Sequence, residues 1–523
     1  LNGAQSCIFP IDQSAQHINK AGSKKAMSHL SVLLSKTPND ISLKWLYNIA
    51  AQTVGDYPHN IPNEWLIPMS YFESDIQMPA FTNIAKQTKT DIVDLAGGSI
   101  AEDFNNDGHI DLMVSAWGFN SQIRLLKNNS HGEFIDITDE SGLLGLVGGL
   151  NMISADYDND GDTDIFVLRG GWRLQNGRIP NSLLMNDGQG HFTDVTESAH
   201  LLSFHPTQTA TWGDFDNDGW LDLFIGNESI AGDIHYSELY HNNQDGTFTE
   251  LAEAVGLQTT GYIKGTAWGD YNNDGRIDLY VSRMDQSNQL FQNNCDSLKC
   301  LFIDVSEKAG VQNPIYSFPT WFWDFNNDGW LDIFVADYNL NAYISPNQNN
   351  LQVSQVIEDY MSDKTPSSIP RLFQNNQDGT FSDVTIKQKL NHTTVAMGAN
   401  FGDIDNDGFL DIYLGTGDPD FATLIPNRMF RNNHGEFFQD VTTTNAVGHL
   451  QKGHAISFAD FDNDGDQDIY EVMGGAYSGD FYQNALFQNP GHGNNWVTLK
   501  LVGTKSNTSA IGARVKISLL ENG

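Results

Sequence analysis

The chain has 523 residues, with 66 acidic against 28 basic side chains and a formal charge of -38. Charge of this sign and size repels nucleic acid and anionic membrane surfaces and leaves cations as the natural small partners. No stretch approaches the ~20 apolar residues that a membrane-crossing helix needs, so no transmembrane segment is expected.

The chain begins at Leu1, not Met. Removal of an export leader accounts for this, and so does simple trimming. Of the three cysteines, Cys295 and Cys300 stand close enough to form a small disulfide in an oxidising compartment. Two unpaired thiols are the other reading, and Cys7 stands alone. The sequence holds no CxxCH for haem, no zinc-spaced Cys/His cluster, no GxGxxG or P-loop and no GxSxG elbow.

Residues 1–77 read as helical. Ala26, Met27, Leu30, Leu33 and Leu34 fall on one helical face, and Leu43, Leu46, Ile49, Ala50 and Val54 on another. Asn39 or Asp40 can cap the second helix and Gly55 can end it. The pair resembles one tetratricopeptide unit and is expected to pack on the larger repetitive region, not to stand free.

Residues 78–493 are repetitive. The string D-x-[DN]-x-D-G-x-x-D begins at Asp103, Asp156, Asp214, Asp270, Asp324, Asp403 and Asp460, at spacings of 53, 58, 56, 54, 79 and 57 residues. One insertion, Asn339 to Pro370, explains the long interval, and its stretch from Val353 to Met361 reads as helical. A short apolar run enters each loop, as in Ala210-Thr211-Trp212-Gly213, and an alternating run leaves it, as in Leu221-Asp222-Leu223-Phe224-Ile225. Both read as strands. Trp212, Trp268 and Phe401, just ahead of the loops, are expected in the core. A second hairpin comes next, with Leu239-Tyr240-His241, a turn at Asn243-Gln244-Asp245-Gly246, and Phe248-Thr249-Glu250-Leu251.

Each unit therefore supplies four antiparallel strands. Seven such sheets predict a mainly β fold, a seven-bladed β-propeller, whose radial closure protects sheet edges. The last unit lacks the usual Phe-x-Asp-Val-Thr strand. Phe81-Thr82-Asn83-Ile84-Ala85, ahead of the first loop, is expected to complete the seventh blade and close the ring.

The loops have the chemistry of calcium sites. Calcium takes six to eight oxygens, and alternate side chains of a tight loop can converge on one point. Positions one, three, five and nine would supply side-chain oxygens, position seven a backbone carbonyl, and Gly at position six permits the turn. The expected ligands are Asp103, Asn105, Asp107 and Asp111 with the carbonyl of His109, and Asp156, Asp158, Asp160 and Asp164 with that of Asp162. Next come Asp214, Asp216, Asp218 and Asp222 with Trp220, and Asp270, Asn272, Asp274 and Asp278 with Arg276. The remaining loops offer Asp324, Asn326, Asp328 and Asp332 with Trp330, Asp403, Asp405, Asp407 and Asp411 with Phe409, and Asp460, Asp462, Asp464 and Asp468 with Asp466. About seven structural calcium ions would add fourteen positive charges. Plain hairpin turns are the bland alternative, but they would leave three or four packed carboxylates unrelieved. Magnesium is the weaker candidate because it demands a tight octahedron. Asp460 to Glu471 formally satisfies an EF-hand pattern, yet strand-type sequence flanks it, so Glu471 is expected to face a neighbouring loop or the ring.

These repeats, over roughly Pro79 to Pro490, resemble the FG-GAP or VCBS repeats of integrin α-chain propellers. Trp496-Val497-Thr498-Leu499-Lys500-Leu501 through Asn507, with Ile511-Gly512-Ala513-Arg514-Val515, resembles the start of an ASPIC/UnbV β module. Residues 494–523 would then be an incomplete copy of the module that comes after such propellers in the cartilage-acidic-protein-like family. The resemblance implies a secreted, cell-surface or periplasmic binding or adhesion module for a glycan or protein partner. The alternative is a polysaccharide lyase or other carbohydrate-active enzyme, and a purely structural role is a third reading. Calcium loops would occupy one face and function the other, where Arg169, Trp172, Arg173, Lys264, Arg283, His205 and His454 are candidates. A lyase would need His454 or His205 as base beside Arg169 or Lys264.

Overall fold

A computed structural model of the protein describes residues 7–295, 299–338, 351–362, 364–366 and 368–517. Seven four-stranded antiparallel sheets form a closed propeller. The first strand of each blade lies innermost, and first strands of neighbouring blades face each other around the axis. Thr209 and Thr266 hydroxyls meet at 3.1 Å across one such seam, and Ser99 and Ser457 at 2.8 Å across another.

Burial explains the strand order. Second strands such as Asp222–Asn227 and Asp411–Thr416 are buried throughout and read as nearly continuous apolar runs. Outer strands bury only their leading aromatic, as in Phe192–Asp194 and Phe248–Glu250. The Asp-Val-Thr at the end of such a strand ties it back. In the second blade the Thr196 hydroxyl donates to Asp194 at 2.5 Å and accepts from the Leu183 N–H at 2.8 Å.

Closure is as expected. Thr82 pairs with Gln488 and Asn83 with Phe487, so a strand from before the first blade completes the seventh. Phe81, 2% exposed, occupies the place of the leading aromatic. A second short pairing, Val93–Asp94 against Tyr482–Gln483, reinforces the join.

The N-terminal pair is α1 (Ala21–Leu34) and α2 (Ile41–Val54). Asp40 caps α2 through the Leu43 N–H, and Gly55 ends it in the left-handed region at φ 86°. The expected face of α1 is only partly right: Leu34 is buried but Leu33 is 46% exposed, because α2 reaches the other flank of the helix. Trp45, Ile49, Phe9 and Phe72 pack with Phe318, Tyr338 and Ile425 of the propeller blades and with Val356 of an inserted helix. The Trp45 indole donates to the Leu424 carbonyl at 2.5 Å. These blade residues lie away from the Asp loops, at strand ends and connections of the opposite face, so the N-terminal helices and the inserted helix Leu351–Tyr360 cover that face over the later blades. The inserted residues 339–350 lie outside the described residues.

Residues 494–517 form no strand among the described residues. They run across the Asp-loop face, where Asn494 Nδ2 donates to the Asp405 carbonyl at 2.8 Å and the Asp156 N–H donates to Ser509 Oγ at 3.1 Å. Ile511 caps the central channel beside Ser99, Ser154 and Ser457.

Candidate functional site

Each Asp loop joins the first strand of a blade to the second and folds the same way seven times. The position-one carboxylate accepts from the backbone N–H of positions five and six, as Asp214 does from Asp218 at 3.0 Å and Gly219 at 2.9 Å. The position-five carboxylate accepts from the position-seven N–H, as Asp218 does from Trp220 at 2.9 Å. Position nine opens the second strand and accepts from an Asn N–H on the third, as in Asn242 to Asp222 at 2.9 Å. Carboxylates thus point inward because the backbone turns around them.

The structure brings several predicted groups together. Ligand-type oxygens lie within 4.8 Å of one another in Asp156/Asp158/Asp164, Asp214/Asp216/Asp218, Asp403/Asp405/Asp411 and Asp460/Asp462/Asp464. A further group joins Asp216 and Asp222 to His241, which the sequence reading did not single out. The loops not represented there carry another mark. Asn105 Oδ1 in the first loop, Asp278 Oδ2 in the fourth and Asp332 Oδ2 in the fifth are buried with no hydrogen-bond partner, as is Asp405 Oδ1 in the sixth. A buried oxygen of this kind is costly unless something pairs with it. The oxygens left over in these pockets suit a hard divalent cation.

Burial of these carboxylates, with charge crowding second, points the same way. Burial, reinforced by neighbouring loop aspartates, pushes Asp164 up to about 9, Asp278, Asp332 and Asp468 to about 8, and Asp111 to about 7. Asp411 is raised well above the carboxylate range, chiefly by burial. Some loops have internal relief: Arg431 reaches Asp405 at 2.5 Å and Asp407 at 2.6 Å, and Lys127 reaches Asp107 at 3.1 Å. The second, fifth and seventh loops have no basic partner at ion-pair distance among the described residues. Glu471 lies in the strand Asp468–Met473, fully buried against Tyr413 and Asn427, as a strand residue and not an EF-hand ligand.

Two sets of asparagines escaped the sequence reading. Position four is Asn in all seven loops, with φ between 55° and 61°, a conformation Asn tolerates better than most side chains. Its amide reaches the next loop around the ring: Asn159 to the Gly219 carbonyl at 3.0 Å, Asn327 to Gly408 at 2.8 Å, and Asn463 across the closure to His109 at 2.9 Å. The second set ends the third strand. Asn242 donates to the Tyr157 carbonyl, Asn432 to Phe325, Asn489 to Ile404 and Asn128 to Phe461, each at 2.8 Å and each in the preceding blade. The signal was present as a recurring Asn that closes the third strand of every blade, at a varying distance from the loop.

The opposite-face candidates do not meet as a catalytic pair. Lys264 is fully buried in an ion pair with Glu228, its Nζ 3.5 Å from the Trp172 ring centre, and burial lowers it to about 8 despite Glu228. Arg283 holds its own loop through the Ser287 and Thr260 carbonyls. His205 Nδ1 sits 2.7 Å from His235 Nδ1, and His454 Nε2 lies 2.9 Å from the Gly474 carbonyl, with burial lowering His454 to about 4. No contact among the described residues joins either histidine to Arg169 or Lys264.

Cys295 and Cys300 are bridged, which suits a compartment outside the cytoplasm. No helix among the described residues is long and apolar enough to cross a membrane.

A family model described as FG-GAP-like repeat matches residues 103–167, 156–225, 227–281 and 324–414, together more than half of the chain. Human cartilage acidic protein 1 is 24% identical over 305 residues, 56% of this chain and 41% of that protein. The mouse protein of the same name is 23% identical over 311 residues, 57% of this chain and 43% of its own length. The chain thus spans about two fifths of the length of these curated relatives. A crystal structure of BBS1N in complex with ARL6DN aligns at 9% identity and a TM-score of 0.43, over 79% of this chain and 98% of that one. With seven Asp-loop blades in place and the repeats matched, the chain belongs to the FG-GAP-like repeat family of β-propellers and is distantly related to cartilage acidic protein 1.

Proposed function

We propose that the protein is a calcium-stabilised binding module of the extracellular, cell-surface or periplasmic space, recognising a glycan or protein partner. Calcium would be held by the position-one, -three, -five and -nine side chains of each loop and would neutralise carboxylates that burial otherwise forces toward protonation. The second and seventh loops, each with five aspartates and no basic partner among the described residues, would bind it most strongly. Millimolar calcium outside the cell keeps even modest sites filled.

The observation that carries the binding reading is the division of the far face. The N-terminal helices cover it over the later blades, while over the first and second blades aromatic and arginine side chains line an uncovered depression. A glycan array together with a pull-down from the native environment tests this. Reproducible capture of one glycan class or one protein supports it, and capture of neither by calcium-loaded protein counts against it. New ultraviolet absorbance from unsaturated uronate products would replace this reading with the lyase alternative.

A further inference from the structure

The depression lies between the first and second blades and encloses about 180 Å³, lined by Trp117, Phe119, Arg169, Arg173, Ile179 and Pro180. Gly148, Gly149 and Gly170, at φ 73°, 122° and 87°, leave its wall as bare backbone. Arg169 is only 9% exposed. Its Nε donates to the Val147 carbonyl at 3.0 Å, and its Nη1 to the Pro180 carbonyl at 3.2 Å and Ser182 Oγ at 2.7 Å. Those bonds lock the guanidinium while Nη2 makes no hydrogen bond among the described residues. Arg173 commits Nη2 to the Trp117 carbonyl and lies 3.8 Å from the Phe119 ring centre and 4.1 Å from that of Trp117.

Neither arginine has a carboxylate at ion-pair distance among the described residues. That is unusual in so acidic a chain. Arg169 contrasts with the other buried cations, which are paired: Lys264 with Glu228, Arg428 with Asp440 and Lys452 with Asp480. Arg169 feels the charge of Asp194 but makes no ion pair with it, and burial still lowers it; a buried cation so weakly compensated is costly, and a guanidinium edge matches a planar carboxylate. Room for about six waters, at the ~30 Å³ each takes up in the liquid, fits one sugar ring. A hollow of that size, open to solvent on one side and walled by loop backbone, does not offer the sheet edge along which an extended peptide adds. Phe119, 58% exposed, presents an aromatic flank at the rim.

We propose that this hollow binds a single uronate residue of an acidic glycan, its carboxylate facing Arg169 and Arg173. The assignment deepens the binding-module reading and rests on it. The test is calorimetric titration of the full calcium-loaded chain with a short oligouronate, its carboxyl-reduced counterpart and a Glu-rich peptide. Oligouronate binding that weakens about tenfold or more on carboxyl reduction, and likewise in Arg173→Gln, is the expected result. Phe119→Ala, at an exposed site, provides a second variant that keeps the fold, checked by an unchanged Tm. Oligouronate binding indifferent to both variants overturns the hollow as the site and leaves the binding module standing. Preference for the peptide overturns the uronate. Binding of no probe also overturns the uronate site, whereas the wider reading falls only if array and pull-down fail too.

Discussion

Replacing Asn432 by Ala should loosen the ring at one seam. Asn432 is fully buried and donates to the Phe325 carbonyl of the preceding blade at 2.8 Å and to the Leu410 carbonyl at 3.1 Å, while accepting from the Gly435 N–H at 2.8 Å. The substitution leaves these three groups short of a partner, at about 1–3 kcal/mol for each that stays dry. With partial relaxation, a loss of about 3–5 kcal/mol results. A ring of roughly 400 residues unfolding as one unit has ΔS near 0.8 kcal/mol/K, so each kcal/mol moves Tm by about 1.2 °C. Asn432→Ala should therefore lower Tm by about 4–6 °C in scanning calorimetry at saturating calcium. Asn433→Ala is the control, since its side chain makes no hydrogen bond among the described residues, and it should move Tm by less than ~1 °C. Equal shifts from the two variants would refute the seam argument.

Chelation should lower Tm steeply, and calcium should restore it better than magnesium. If seven sites each stand at about 100-fold over Kd, the linked stabilisation is about 2.7 kcal/mol per site, or about 20 °C in all. An unchanged melting curve in chelator would sink structural calcium. Burial pushes Glu471 up to about 8, so the folded state binds a proton that the unfolded chain releases near its ordinary value. Its contribution is harmless below that ordinary value and destabilising as pH rises toward 8. Glu471→Gln should then gain Tm over the parent between pH 5 and 9, and a pH-independent difference would contradict this. Thiol titration of unfolded protein should find one reactive cysteine without reductant and three with it, because Cys295 and Cys300 are bridged.

Blade number, closure by residues 82–83 and the Asp-loop positions were legible because local periodicity and turn chemistry dictate them. The position-four Asn went unread because its partner lies in another blade, 60 residues away for Asn159 and Gly219. The covering of the far face was equally hidden. Nothing near Trp45 in sequence announces a hydrogen bond to Leu424, 379 residues distant. His241 escaped because a third-strand residue meets Asp222 only once the sheet has formed. Sequence patterns specify what neighbours along the chain do, and these contacts depend on tertiary docking.

The strand Thr82–Asn83 is made early and used last. At ~5–20 residues per second, Gln488 leaves the ribosome roughly 20–80 s after its partner Thr82. Until then the opening blades exist as an open arc whose two ends each display an unsatisfied edge. A nascent chain must therefore be shielded from pairing with a second copy over that interval, which makes assembly in vivo a matter of timing as much as of stability.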